Sequence, residues 1–139
     1  MAKMIFVSLP VADLGASTGF YKALGFEMNM QFSDTTAVCM MWSETIQVML
    51  LTHAKWQSFT DRPLPPVGSA KLMLSLSVDS REAVDQMNQA AAGHGGKADV
   101  NPVQDHGTMY SRDFSDPDDN LWCAFWMDAT AAPAGSQEA

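Results

Sequence analysis

The chain has 139 residues, of which 47% are hydrophobic and 17% charged, and its formal net charge at pH 7 is −8. This composition is typical of a globular domain and excludes an intrinsically disordered chain. The 8 basic residues form no cluster against 16 acidic ones, so nucleic acid is not an expected partner, whereas a cationic ligand would be weakly favoured. No apolar run approaches the roughly 20 residues of a membrane span, and no signal-peptide pattern opens the sequence. We therefore expect a cytoplasmic protein with no membrane partner.

The first half of the sequence predicts a strand, a helix and three further strands. Residues 4–11 are rich in β-forming side chains and predict the first strand. Asp13 is a suitable N-cap for the helix that follows, and Gly25 is a suitable end for it. Residues 26–32, 37–42 and 46–52 then predict three strands separated by polar turns.

The same order recurs after a connector. Residues 53–70 contain three prolines and a glycine between positions 63 and 68, which is typical of a connecting segment. Residues 71–78 alternate between apolar and polar side chains as a half-buried strand does. Asp79 and Glu82 resemble a capping box for a second helix, which ends at Gly93. Weak strands at 98–103 and 108–114 and a turn at 116–119 lead to the last strand at 121–127.

The two halves of the sequence are copies of one unit. A constant offset aligns Val11 with Val78 and Phe20 with Met87, and the helix ends agree to within one residue. The prediction is an α+β fold in which two tandem βαβββ modules form a curved mixed sheet around a cavity. Residues 1–128 would make one domain, with modules at 4–52 and 71–128 around the connector at 53–70, followed by a flexible tail at 129–139.

Several short motifs resemble those of a known superfamily. Leu9-Pro-Val-Ala-Asp-Leu14, followed by Phe20-Tyr21 and Leu24-Gly25-Phe26, is similar to the opening of vicinal oxygen chelate proteins. Asp105-His-Gly, Asp116-Pro-Asp and Leu121-Trp122 are similar to their closing half. The superfamily includes glyoxalase (lactoylglutathione lyase), extradiol dioxygenases and bleomycin-resistance proteins, and this chain is most similar to bacterial predicted lactoylglutathione lyases. The resemblance implies the fold just described and a homodimer, since relatives often form pockets between chains.

The resemblance also implies four metal-ligand positions, one on the first and one on the last strand of each module. In this sequence they fall on Phe6, Met73, Cys123 and, approximately, Leu50. Phe and Leu cannot donate a lone pair, and Met and Cys are soft ligands that suit Mg²⁺, Mn²⁺ or Fe²⁺ poorly. We therefore expect no metal and no other cofactor, and an apolar pocket wall in place of the metal site.

The expected ligand pocket combines these positions with nearby aromatic and polar side chains. Because a shift of one residue exchanges the two faces of a strand, the sequence does not determine which of them face a cavity. The candidates are Phe6, Ser8, Trp42, Leu50, Met73, Ser75, Tyr110, Arg112 and Cys123. Cys39 and Cys123 both lie in apolar runs and are expected to be buried thiols.

Three functions remain open at this stage. The first is a metal-independent protein that binds a small apolar or cationic ligand, as the bleomycin-resistance branch does without chemistry. The second is a lyase-like or dioxygenase-like metalloenzyme with a divalent metal held by non-standard ligands such as His53, His106 or Glu44, so enzyme activity is left undecided. In either case His106, between Asp105 and Gly107, is the weak candidate for proton transfer. The third is a structural role in which the duplicated fold supports dimerisation.

Overall fold

The computed structural model describes residues 2–130 of the chain. Residues 131–139, which make up most of the tail expected at 129–139, lie outside the described residues. Within residues 2–130, no helix is long and apolar enough to cross a lipid bilayer.

The first module forms a four-stranded mixed sheet with one covering helix. Its strands lie in the order β1-β4-β3-β2, and β1 and β4 are parallel while the other pairs are antiparallel. The elements, in chain order, are β1 (Ile5–Val11), α1 (Leu14–Leu24), β2 (Glu27–Asn29), β3 (Ala37–Met41) and β4 (Ile46–Thr52). The strand predicted at 26–32 is shorter than expected, because a 3₁₀ turn at Met30–Phe32 replaces its second half.

The second module repeats this arrangement. Its main strand order is β5-β9-β8-β6, with β7 also paired to β8, and β5 and β9 are parallel. The elements are β5 (Met73–Ser77), α3 (Arg81–Gly93), β6 (Lys97–Ala98), β7 (Gln104–Asp105), β8 (Met109–Ser115) and β9 (Leu121–Met127). The strand predicted at 98–103 is instead two short strands on either side of a bend. The predicted α+β fold with two βαβββ-type modules is confirmed.

The helix ends follow the sequence signals with one exception. Asp13 accepts a hydrogen bond from the backbone N–H of Ala16 at the start of α1, and Gly25 ends α1 with a φ of 109°. At the start of α3 the N-cap is Ser80, whose side chain accepts from the backbone N–H of Ala83, so the capping box expected at Asp79 is wrong by one residue. Ser and Asp are equally good N-caps, which is why the sequence alone did not separate them.

The connector contains a helix that the sequence pattern did not predict. Residues His53–Phe59 form α2, capped by the Thr52 hydroxyl, which accepts from the backbone N–H of Lys55. Seven residues make only two turns, too few for a helical apolar period to stand out. The prolines follow this helix, so the irregular part of the connector is confined to the residues after it.

Helices α1 and α3 cover the same side of the two sheets, so neither of them covers the opposite face of either sheet. Helices α1 and α3 contact each other, and α1 packs on β3 and β4 while α3 packs on β8 and β9. Their core combines side chains from both modules: Leu9, Val11, Phe20, Tyr21, Val48, Leu50, Leu76, Val84, Met87, Phe114, Trp122 and Ala124. We call the sheet faces opposite these helices the free faces.

A buried hydrogen-bond network joins the two modules. The Tyr21 hydroxyl of α1 donates to the Asp116 carboxylate at 2.6 Å and accepts from the Trp122 indole N–H at 3.0 Å. The neighbouring Asp118 accepts from the backbone N–H of Ala12 at 2.8 Å and from the Ser17 hydroxyl at 3.3 Å. The Asp-Pro-Asp turn of the second module therefore holds the start of α1 in place, which sets the relation between the two sheets.

Candidate functional site

The free faces follow directly from strand alternation and register. On β1, Leu9 and Val11 are buried under the helices, so Phe6 and Ser8 point to the free face. On β5, Leu76 is buried under the helices, so Met73 and Ser75 point the other way. Phe6 and Met73, which lie near the starts of paired strands, are 48% and 44% exposed, which is high for large apolar side chains.

Five of the nine predicted pocket residues lie on the free faces. They are Phe6 and Ser8 on β1, Met73 and Ser75 on β5, and Cys123 on β9. Ser75 and Cys123 are direct register partners, and Cys123 is in turn the partner of Asp113 on β8. These three residues form a polar row across the second sheet, with apolar Met73 and Leu121 paired beside it.

The other four predicted pocket residues lie on the helix-covered side. Leu50 is fully buried in the core opposite Leu9, so its free-face neighbours are Met49 and Leu51. Trp42 packs against Phe26 at a ring distance of 5.2 Å, close to the end of α1. Leu50 and Trp42 therefore lie away from the free faces, and the sequence alone had not determined the face of either residue.

Tyr110 and Arg112 belong to a structural network around α3. The Arg112 guanidinium binds Asp85 at 2.9 Å and Asp99 at 2.6 Å. The Tyr110 hydroxyl donates to the same Asp85 carboxylate. Hydrogen bonds to the two carboxylates raise the pKa of Arg112, so its positive charge is already paired with Asp85 and Asp99. The geometry of Arg112 therefore does not support the polar ligand contact expected of it.

Two cavities meet at Ser8 and Trp56. One, of about 200 Å³, lies between the modules and is bordered by Ser8 of β1, Leu74 of β5 and Leu121 of β9. The other, of about 350 Å³, lies between the free face of β4 at Leu51 and helix α2. Trp56 of α2 borders both, so this helix acts as a wall between them.

The Cys123 thiol is a poor nucleophile at neutral pH. Burial raises the pKa of Cys123 to about 11, and hydrogen bonding and charge at Asp113 add to this, while the hydroxyls of Ser75 and Ser111 oppose it. Cys39 on the first sheet is also a buried free thiol, and burial raises its pKa as well. Because the thiolate is the nucleophile, neither group is prepared for covalent catalysis at neutral pH.

His106 lies in the turn between β7 and β8 and is exposed. Its Nε2 atom is 3.2 Å from the Gln104 side-chain oxygen. Asp105, which the sequence suggested as the group orienting this histidine, instead forms a two-point ion pair with Arg81 at 2.7 and 3.1 Å. His106 therefore lacks the buried, oriented setting of a general base, and its role in proton transfer stays an untested prediction.

Comparison with known proteins decides the family question at the level of fold. Residues 3–42 match the family described as bleomycin resistance protein-like N-terminal. The chain is similar to the solved structure of a hypothetical protein from S. aureus, with 27% identity and a TM-score of 0.76 over 91% of this chain and 94% of that one. It is also similar to a glyoxalase/bleomycin resistance protein/dioxygenase family enzyme from Burkholderia phytofirmans PsJN, with 19% identity and a TM-score of 0.73 over 91% of this chain and 99% of that one. A fosfomycin resistance protein from Mesorhizobium loti has 12% identity and a TM-score of 0.68 over 100% of this chain and 99% of that one. The chain therefore has the fold of glyoxalase/bleomycin resistance protein/dioxygenase family proteins, and its first part matches a bleomycin resistance protein-like family model. The resemblance predicted from the sequence motifs is confirmed, and no curated protein matches the chain.

The side chains at the positions that correspond to vicinal oxygen chelate metal ligands do not fit a divalent metal. Phe6 has no donor atom, Met73 offers a thioether, and Cys123 offers a thiol with a raised pKa. On β4, the expected ligand position Leu50 lies in the core, and its free-face neighbours Met49 and Leu51 have no oxygen or nitrogen. No group of three His, Cys, Asp or Glu side chains within residues 2–130 is arranged to hold a metal ion.

Gln47 and Asp113 are among the polar free-face residues that were missed from the sequence, and register is the signal that would have found them. Gln47 is the parallel partner of Phe6, and Asp113 is the partner of Cys123. The Gln47 amide is already engaged, because its oxygen accepts from the Cys39 thiol at 2.9 Å and its nitrogen donates to the Glu44 carbonyl at 3.1 Å. Asp113 accepts from the Asn101 amide at 2.9 Å and is half-exposed, so it keeps the capacity to bind a further group.

Proposed function

We propose that this chain binds a small apolar or cationic molecule on its free faces and needs no metal to do so. The observation that carries the proposal is the chemistry at the four ligand positions: Phe6, Met73, Cys123 and the free-face neighbours of Leu50 supply no hard donor. Divalent catalysis requires at least three anchored ligands and an open position. In this proposal the superfamily cavity is retained as a binding surface.

The free faces offer an apolar floor with one acidic group. Phe6 and Met73 are each about half exposed, so covering either of them would contribute about 1 kcal/mol to binding. Methionine adapts to differently shaped ligands because it is unbranched and polarisable, which favours a loosely specified apolar guest. Asp113 adds a carboxylate in a protein whose net charge is −8, and this favours an amine on the guest.

We also propose that the protein forms a homodimer in the cytoplasm. Exposed apolar side chains lie at the start of each parallel strand pair or just before it: Met4, Ile5, Phe6, Ile46, Leu72 and Met73. A second copy of the chain would cover such side chains. The free thiols of Cys39 and Cys123 fit a reducing compartment.

The ligand proposal is tested by NMR titration with benzyl alcohol and benzylamine as a neutral and a cationic probe. We expect saturable shifts of the Met73 methyl and the Trp56 indole signals, which report on the free face and its bordering cavities. Phe6→Ser should weaken binding roughly tenfold. The matched control Phe32→Ser removes a similarly exposed ring that lies in the 3₁₀ turn after β2 rather than on β1, and it should leave affinity unchanged. Binding that appears only when Mn²⁺, Fe²⁺ or Zn²⁺ is added would contradict the proposal and return the metalloenzyme alternative.

A further inference from the structure

A second groove surrounds Trp42. One cavity, of about 350 Å³, is bordered by the end of α1, the end of β5 and the first turns of α3. A second, of about 240 Å³, is bordered by β2 and the turn between β3 and β4. Trp42 and Gly25 border both cavities. We call these two cavities together the Trp42 groove, and neither of them shares a bordering residue with the two cavities at Ser8 and Trp56.

The Trp42 ring is held rigidly at the centre of this groove. It packs against the buried Phe26 ring at 5.2 Å. Gly25 lies beside it with a φ of 109°, a conformation that other residues adopt only with strain, and a Cβ built there would come within 4.0 Å of Trp42 Cζ3. The tryptophan is half-buried, so part of the indole is anchored in the core and part is open to the groove.

The charged side chains that border the groove are all acidic. Three carboxylates border it: Asp79 in the larger cavity, and Glu27 and Glu44 in the smaller one. No lysine or arginine borders either cavity, and none of the three carboxylates forms an ion pair within residues 2–130. The groove lies at the carboxyl end of α1 and at the amino end of α3, whose helix dipoles oppose one another there, so the carboxylates set its charge. An aromatic face among unpaired carboxylates is the arrangement that recognises organic cations.

We propose that the Trp42 groove is a binding site for a small organic cation of the quaternary ammonium class. The indole face would contact the methylated ammonium group, and Asp79, Glu27 and Glu44 would balance its charge without close hydrogen bonds. A quaternary ammonium suits the site better than a metal ion, because the indole offers a π face and the carboxylates border different cavities. This site is separate from the one under Proposed function and does not depend on it.

Choline and its neutral isostere 3,3-dimethylbutanol distinguish charge recognition from simple apolar contact. In a ¹H–¹⁵N NMR titration of the full chain, choline should shift the Trp42 indole signal in a saturable way, and the isostere should not. The Trp56 indole signal, which reports on the free-face cavities, should not follow the choline titration at Trp42. An equal response to both compounds, or no saturable response to choline, would overturn the proposal.

Variants separate the aromatic and the charged parts of the site. Trp42→Leu and the triple variant E27Q/E44Q/D79N should each weaken choline binding roughly tenfold. Glu82→Gln is the matched control, because Glu82 is an exposed acid of the first turn of α3 that borders neither cavity, and it should leave the affinity unchanged. If Trp42→Leu fails to fold, Trp42→Phe keeps a weaker π face and should bind choline a few-fold less tightly. Unchanged affinity in the triple variant, or a loss of the same size in Glu82→Gln, would contradict the site.

Discussion

Replacing Tyr21 by phenylalanine removes a single hydroxyl group from the junction between the two modules. Tyr21 is fully buried, and its hydroxyl connects the Asp116 carboxylate at 2.6 Å with the Trp122 indole N–H at 3.0 Å. Asp116 and Trp122 are themselves 2% exposed, so water does not readily replace the lost group. The variant tests whether this network holds the modules together.

The expected cost follows from the two interactions lost. A hydrogen bond to a charged acceptor contributes about 1.5–3 kcal/mol, and a buried N–H left without an acceptor costs a further 1 kcal/mol or more, roughly. Asp116 keeps its bonds from the backbone of Asp118 and from Asn120, which limits the loss. We therefore expect Tyr21→Phe to lower the free energy of unfolding by about 3 kcal/mol, a large part of the stability of a domain this size.

Urea denaturation measures this directly, and Tyr110→Phe is the matched control. The Tyr110 hydroxyl also donates to a carboxylate, that of Asp85, but at a half-exposed site where Arg112 still binds the same carboxylate. The control should cost less than about 1 kcal/mol. The midpoint should fall for Tyr21→Phe while the slope of the transition is unchanged. Equal losses in both variants would show that the junction network contributes nothing special.

Three further predictions concern single groups. Hydrogen bonding to Arg81 lowers the pKa of Asp105 from 3.8 to about 2, so this carboxylate stabilises the fold above its unfolded pKa and loses that contribution as the pH falls towards 2. In Arg81→Gln, an NMR titration should find the Asp105 midpoint at a higher pH, and an unchanged midpoint would refute the ion pair. Burial raises the pKa of Cys123 to about 11, so iodoacetamide should modify this thiol slowly at pH 8 and faster as the pH approaches 11. Half-maximal reactivity near pH 8 would be inconsistent with a buried thiol. A Cβ at Gly96 would lie 2.1 Å from a backbone carbonyl oxygen, so Gly96→Ala should lower the free energy of unfolding by about 2 kcal/mol or more. Gly19 lies on a helix with nothing within 4 Å of such a Cβ, so Gly19→Ala should raise it slightly. Similar thermal denaturation midpoints for the two variants would argue against the packing described.

Local signals in the sequence were sufficient for most of the fold. Asp13 and Gly25 mark the ends of α1 because capping and a left-handed C-cap are local chemistry. The last strand, Leu121–Met127, has the predicted bounds because an Asp-Pro-Asp turn precedes a continuous apolar run. The helix α2 was missed because two turns beside a proline-rich segment carry little periodicity.

The site was predicted less completely, for a physical reason. The sequence named Phe6 and Met73 as pocket candidates but did not determine which face of the strand each occupies; the structure puts both on the free faces. The face of Leu50 could not be predicted, because the last strand of the first module is apolar on both sides and alternation gives no direction there. The ion pairs of Arg112 join residues distant in sequence and leave no local pattern.

Metal content after metal loading tests the central claim most directly. The purified chain is incubated with Mn²⁺, Fe²⁺, Ni²⁺ and Zn²⁺ in turn, desalted, and analysed by plasma mass spectrometry together with a Phe6→His/Met73→His/Cys123→Glu variant that restores hard donors. The account predicts less than about a tenth of an ion per wild-type chain and a substantial gain in the variant. One tightly held ion per wild-type chain would contradict it and make catalysis the leading explanation of the cavity.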